Sequence, residues 1–170
     1  DRIATECQKR GLLLIEDAAL ALGARKAGKW AGTFGDVGCF SFHPRKAITT
    51  GEGGMITTSN SELEGLCRIL RDHGASRTDF DRHQAQASFL LAGYEHLGYN
   101  YRMTSMQAAT GLVQLRKVDG YLEARRRNAA YLSERLGELN GIQAPFVADY
   151  AVHSYYKYIG RLRPETEIGP

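Results

Sequence analysis

Apolar and polar positions follow three successive rhythms along the chain. Arg2 to Arg10 reads as the end of a helix with Gly11 as its stop. The unbroken run Leu12-Leu13-Leu14-Ile15 then ends in Glu16-Asp17. Such a run suits a strand buried on both faces, as in a parallel sheet under helices. Further short strands are predicted over residues 38–42 and 55–58. These strands deliver Asp17, Ser41-Phe42-His43 and Gly53-Gly54 near strand ends, and open α/β sheets bind ligands beyond their strand ends.

The rhythm changes to a helical one over residues 61–73. Leu63, Leu66, Cys67 and Leu70 recur at i, i+3, i+4, i+7 behind an S-x-x-E capping box of Ser61 and Glu64, and Gly74 supplies the stop. Residues 75–98 show no sustained period. A loop of that length in a compact domain is usually functional or part of a subunit contact. Thr104 and Gln107 form a T-x-x-Q capping box opening a helix to about Lys117. Asp119 is the predicted cap of another, with Leu122, Ala129, Leu132, Leu136 and Leu139 on one face and Gly141 at its end. Residues 142–160, rich in Tyr, Val, Phe and Ile, read as strands. This change of character divides the chain into residues 1–118, most of an α/β domain, and 119–170, a linking helix with the start of a second, smaller domain. Residues 142–170 are too few to bury a core alone, and the chain starts in mid-element. Both features suggest a piece of a larger protein.

Composition narrows the classes. The 170 residues carry 22 Lys and Arg against 19 Asp and Glu, a net charge of +3, with 43% hydrophobic residues. That is enough apolar side chain to fill a core, and it argues against disorder. The charge is too mild, and too little interleaved with aromatics, to suggest nucleic acid. No apolar run approaches the roughly 18 residues of a membrane span, and no signal-peptide pattern opens the chain. Cys7, Cys39 and Cys67 make an odd total without a C-x-x-C pair, which fits a reducing, cytoplasmic setting better than a disulfide scaffold. The five histidines show no metal-ligand spacing.

Chemistry concentrates between Glu16 and Thr58. The glycines there fit neither a dinucleotide fingerprint, which fails at Ile56, nor a Walker loop. Taken singly, Asp17 reads as a turn residue, Lys46 as a surface charge and the glycines as tight turns. In order and spacing, however, EDAA…GTFGDVGCFSFHPRKAITTGEGGMITT resembles the pyridoxal-phosphate sugar aminotransferases of the DegT/DnrJ/EryC1/StrS family. The resemblance continues through RDHGASR (71–77), LGYNYRMTSMQAATGLVQL (97–115) and VHSYYKY (152–158). It implies a partial fold-type-I transferase: a mostly parallel large domain with the beginning of a small α+β domain.

The resemblance also assigns roles. Lys46 matches the lysine that forms a Schiff base with the cofactor aldehyde and later moves a proton. Amine nucleophilicity requires the deprotonated form, which desolvation beside other cations favours. Gly51, Gly53 and Gly54 would leave room for the ring. Asp17 matches a buried carboxylate that keeps the pyridine nitrogen protonated, making the ring an electron sink. Ser41 matches a hydroxyl that binds the phosphate, and Asn100 matches an asparagine that reaches the phosphate from the neighbouring subunit of a homodimer. The implied reaction carries an amino group, from glutamate, to a nucleotide-linked keto-sugar. Two departures stand out. Leu20 occupies a position where the family usually has Gln or His, and the family's chain begins well upstream of Asp1. The second implies that part of the phosphate site lies outside these residues, and that they are inactive alone.

An unrelated α/β ligand-binding domain is disfavoured by the order of the motifs, and two other readings stay open. A sugar dehydratase of the same family typically has His where this chain has Lys46. A non-catalytic, aminotransferase-like regulatory module is the other, against which Asp17, Ser41 and Lys46 argue. Arg125-Arg126-Arg127 reads as a solvated helix face. His153, Tyr155, Tyr156 and Tyr158 are explained as well by strand packing as by a site, and Trp30 as a cover for apolar surface.

Overall fold

Why the sheet forms where it does is visible in the backbone of Leu14. The computed structural model describes residues 2–75, 93–164 and 166. Helix α1 (Arg2–Lys9) ends with Gly11 at φ +63°, and the Leu12 N–H returns to the Cys7 carbonyl. Leu14 donates its N–H to Asp36 Oδ2 at 2.7 Å and accepts from the N–H of Asp36 at 2.9 Å. Strand β1 therefore begins only at the last residue of the apolar run, spanning Ile15–Asp17. The expected doubly buried strand is corrected here: Leu12, Leu13 and Ile15 are more than half exposed, since no described element covers them.

A hairpin follows, β2 (Arg25–Lys26) and β3 (Lys29–Trp30), turning through Ala27 and Gly28 at φ +48° and +80°. Positive φ at both central residues matches the right-handed strand twist. Trp30 is no mere cover; the Arg25 guanidinium stacks 3.4 Å above its ring. Strands β4 (Val37–Ser41) and β5 (Gly54–Thr57) complete the first sheet in the order β1-β4-β5. β1 pairs with β4 in parallel, whereas β5 is antiparallel to β4. The sheet is thus mixed. Asp17 lies opposite Cys39, so Asp17, Cys39 and Ser41 share one face at the C-terminal edge of β1 and β4.

Glu16, on the opposite face, holds the turn before β4. One carboxylate oxygen accepts the Gly32 N–H at 2.6 Å and the other the Phe34 N–H at 2.8 Å, while Thr57 Oγ1 donates to the Gly32 carbonyl at 2.8 Å. Hydrogen bonds to charged groups contribute about 1.5–3 kcal/mol each. Glu16→Ala leaves two half-buried N–H groups without an acceptor. Its urea midpoint is expected to fall by the equivalent of about 2–4 kcal/mol, with Glu16→Gln in between. An unchanged midpoint for the alanine variant would remove the turn from the account of stability.

Helix α2 (Ser61–Arg71) is capped one residue earlier than expected. Asn60 Oδ1 accepts from the N–H groups of Glu62 and Leu63, and Glu64 pairs with Arg68 instead of closing a box. The Thr104–Gln107 box forms as expected at the start of α3 (Ser105–Leu115). Asp119 does not cap α4 (Val118–Gly137). It lies in the first turn, the cap position is Lys117 without a side-chain bond, and the helix stops at Gly137, before Gly141. On its expected apolar face Leu122 and Ala129 are buried, whereas Leu132 and Leu139 are 41% and 50% exposed.

The expected strands of the last third shrink to two-residue pieces. β6 (Ile142–Gln143) pairs with β8 (Arg161–Leu162), and β7 (Ala151–Val152) adds antiparallel to β2. The expected core is likewise small. Among the described residues only Ala18, Ile48, Ala75, Leu122 and Ala129 are buried hydrophobics. Most of the irregular stretch 75–98, and Arg77 with it, lies outside the described residues.

Candidate active site

The loop after β4 is closed by its own threonines. Phe42 donates its N–H to the Gly53 carbonyl, and its own carbonyl accepts from the Thr50 N–H and from Thr49 Oγ1. Ile48 and buried Thr50 anchor the loop from inside. Lys46 sits in the turn so formed, its N–H donating to the His43 carbonyl at 2.9 Å. On the far side, Gln107 of α3 donates to the Glu52 carbonyl at 3.1 Å. Gly53, at φ +153°, has Thr50 Oγ1 and Met103 Cε within 2.5 and 3.0 Å of where a Cβ would stand. Its lack of side chain thus serves packing beneath the loop, and among the three glycines expected to leave room for a ring only Gly51 faces open space.

Lys46 and Ser41 line the same small cavity, about 10 Å³ and so the size of one water. Ala19 and Leu20 wall it, and Ser154 and Tyr156 close it. The Lys46 Nζ lies 5.2 Å from the centroid of the Tyr156 ring, and among the described residues no carboxylate pairs with it. Ser41 Oγ accepts a long, 3.4 Å bond from the His43 N–H. Asp17 ends β1 two residues before Ala19. One oxygen accepts the Ala19 N–H at 3.0 Å, which leaves the second for another donor. Asp17 is exposed among the described residues, contrary to the buried acid expected. A larger cavity of about 430 Å³ lies at the opposite strand ends, between α1 and Phe34-Gly35-Asp36, and holds none of the expected site residues.

Asn100 is not part of the Lys46 cavity. It pairs through its backbone with Asp72, in a segment that runs antiparallel to the end of α2. Arg102 locks that segment with a 2.6 Å ion pair to nearly buried Asp72. The sequence weighs Tyr156 as a site residue against strand packing, whereas it does not single out Ser154. The signal for both is the VHSYYKY motif; strand packing is not the explanation, since β7 ends at Val152. Arg125 and Arg126 correct the solvated-face reading. Both are half-buried and bond to main-chain carbonyls, and only Arg127 is exposed, paired with Glu123.

Among the described residues, an amine with no carboxylate partner, a carboxylate with a second acceptor oxygen and a hydroxyl thus lie near one sheet edge, groups whose chemistry suits a pyridine ring bearing an aldehyde and a phosphate. The DegT/DnrJ/EryC1/StrS aminotransferase family model matches residues 1–168. The chain belongs to that family. Pyridoxal phosphate is the cofactor of the DegT/DnrJ/EryC1/StrS aminotransferases, and the α/β fold is that of fold-type-I transferases. Within the family, the chain is 42% identical to the GDP-perosamine synthase of Caulobacter vibrioides over 163 residues, 95% of this chain and 41% of the relative. It is 35% identical to a dTDP-4-dehydro-2,6-dideoxy-D-glucose 3-dehydratase of Saccharopolyspora spinosa, covering 93% of this chain and 37% of the relative. The crystal structure of the aminotransferase TlmJ from Streptoalloteichus hindustanus superposes with a TM-score of 0.83 at 30% identity, covering 95% of this chain and 41% of that one. The chain thus spans about two-fifths of the length of these family members. Among the described residues no helix is long and apolar enough to cross a membrane.

Proposed function

We propose that the gene product carrying this chain is a pyridoxal-phosphate-dependent aminotransferase that passes an amino group, from glutamate, to a nucleotide-linked keto-sugar. The observation that carries this reading is the convergence of Lys46 and Ser41 on one cavity, with the free acceptor of Asp17 at the same edge. Lys46 would hold the cofactor covalently through Nζ, Asp17 its ring nitrogen and Ser41 its phosphate. When bound, the cofactor supplies an electron sink for the charge left by proton removal. The protein's own part is positional and acid–base: Asp17 holds a proton on the ring nitrogen, and Lys46, once free, carries a proton at Nζ. Borohydride trapping of the complete gene product with pyridoxal phosphate, followed by peptide mapping, tests the assignment. The label is expected on the peptide that contains Lys46, and a label on another lysine overturns it.

A dehydratase is the second reading, because one relative 35% identical is named as such. Lys46 favours amino transfer over it, since dehydratases of this family typically have His there. We further infer a homodimer in which Asn100 reaches the phosphate of the neighbouring site, in keeping with its exposed position outside its own chain's Lys46 cavity. Mixing inactive Lys46→Ala and Asn100→Ala chains is expected to restore one working site per hybrid. No recovery with hybrids confirmed would assign each site to a single chain. The reading also includes a cytoplasmic setting, suggested by three half-buried free thiols. It keeps the division between residues 1–118 and 119–170, which falls in the first turn of α4.

A further inference from the structure

Among the described residues, the ring of Tyr156 lies 5.2 Å from the Lys46 Nζ, and the chain around Tyr156 is held by several hydrogen bonds. Arg126 donates from Nε to the His153 carbonyl at 3.1 Å and from Nη2 to the Gly23 carbonyl at 2.9 Å. Arg125 Nη1 donates to the carbonyls of Tyr155 and Tyr156 at 3.1 and 3.3 Å. Between them, buried Ser154 donates from Oγ to the Leu20 carbonyl at 3.3 Å. Tyr155 is held at φ +47°, a left-handed conformation that a bulky residue seldom adopts, with its N–H on His153 Nδ1 at 2.9 Å. Such backbone persists only where its surroundings over-determine it. Five carbonyls, accepting from two guanidinium groups and one hydroxyl, thus bind α4, the turn after Ala19 and residues 153–156 together. Gly23 completes the fit: a Cβ there would stand 2.1 Å from Leu122 Cδ1 of α4.

We propose that Tyr156 is a positioning residue for Lys46, and that Arg125 and Arg126 act on Lys46 by holding Tyr156 in place. The inference rests on the reading of Lys46 as the covalent attachment point. A lysine side chain has many rotamers, and fixing one of them carries an entropic cost. An aromatic face within about 6 Å of an ammonium group attracts it. The ring 5.2 Å from Nζ therefore gives the protonated side chain a resting place near Ser41, from which attachment follows once the amine loses its proton. The left-handed turn at Tyr155 sets where the next ring goes, and the two arginines keep that turn from relaxing.

The test uses the complete gene product freed of cofactor, with pyridoxal phosphate as the probe. The readouts are the rate at which borohydride fixes label on the Lys46 peptide, and kcat and KM for the amino donor. Tyr156→Leu is expected to slow attachment and kcat about tenfold with KM little changed, as misplacement of a reacting group does. Tyr156→Phe, which keeps the ring, is expected to stay within about twofold of wild type on both counts. Arg126→Gln is expected to slow attachment several-fold, and the double variant Arg126→Gln/Tyr156→Leu to be no slower than Tyr156→Leu, because the two act through one contact. Arg125→Gln serves in its place should Arg126→Gln fail to fold. Attachment at the wild-type rate in Tyr156→Leu, or additive losses in the double variant, would overturn the proposal. Lys46→Ala is the control for the underlying reading: label persisting in that variant brings down the attachment point itself, whatever Tyr156 does.

Discussion

Replacing Lys46 with alanine is expected to leave the fold intact and to cost turnover about 10²–10⁴-fold, the range that loss of a positioned proton carrier produces. The first half of this expectation follows from local contacts. The Lys46 N–H bond to the His43 carbonyl is main chain and survives the substitution. The loop is closed by Phe42, Thr49, Thr50 and Gly53, none of which depends on the lysine side chain. What is lost is one ring contact at 5.2 Å, worth about 0.5–1 kcal/mol at a partly exposed site. The second half follows from chemistry, since alanine can neither attach the cofactor nor carry the proton. Steady-state turnover beside a urea unfolding curve separates the two halves. Turnover near wild type with an unchanged midpoint would reassign the lysine to a structural role, and loss of both together would make it a folding residue.

Strand ends were the most legible part of the site. Asp17 and Ser41 follow short apolar runs, and the register that pairs Asp17 with Cys39 puts them on one face as the pattern requires. The Thr104–Gln107 box was legible because both of its bonds are local. Local logic failed where two neighbours compete for one role. Asn60 and Ser61 both make good caps; the Asn60 side chain takes two N–H groups, and Glu64 turns to Arg68 instead. It failed again where a side chain acts at long range. Nothing in Leu12-Leu13-Leu14-Ile15 reveals that Asp36, 22 positions beyond Leu14, sets where β1 starts. Arg125 and Arg126 look like a charge run on a helix, yet their partners are carbonyls at Gly23 and at His153, Tyr155 and Tyr156. Such contacts are invisible to periodicity, which reports the face a residue occupies but not the backbone that meets it.

Asp17→Asn is expected to keep the cofactor attached at Lys46 and to lose most of the turnover. The two carboxylate oxygens have different tasks. One accepts the Ala19 N–H at 3.0 Å, and the carbonyl oxygen of asparagine can take over that bond, so the end of β1 keeps its turn. On the proposed reading the other would accept from a protonated ring nitrogen, where an amide group could not keep the proton. A hydrogen bond to a charged group is worth about 1.5–3 kcal/mol, which at 1.36 kcal/mol per decade corresponds to a loss of about 10- to 150-fold. Borohydride labelling of Lys46 should remain near wild type while single-turnover proton removal slows, a split that Lys46→Ala cannot produce because it loses both. Asp17→Ala, which also gives up the Ala19 bond, should add a drop in stability of about 0.5–1.5 kcal/mol. Transamination at the wild-type rate by Asp17→Asn would mean that the proton on the ring is held by another group, and that the carboxylate at the end of β1 serves only its turn.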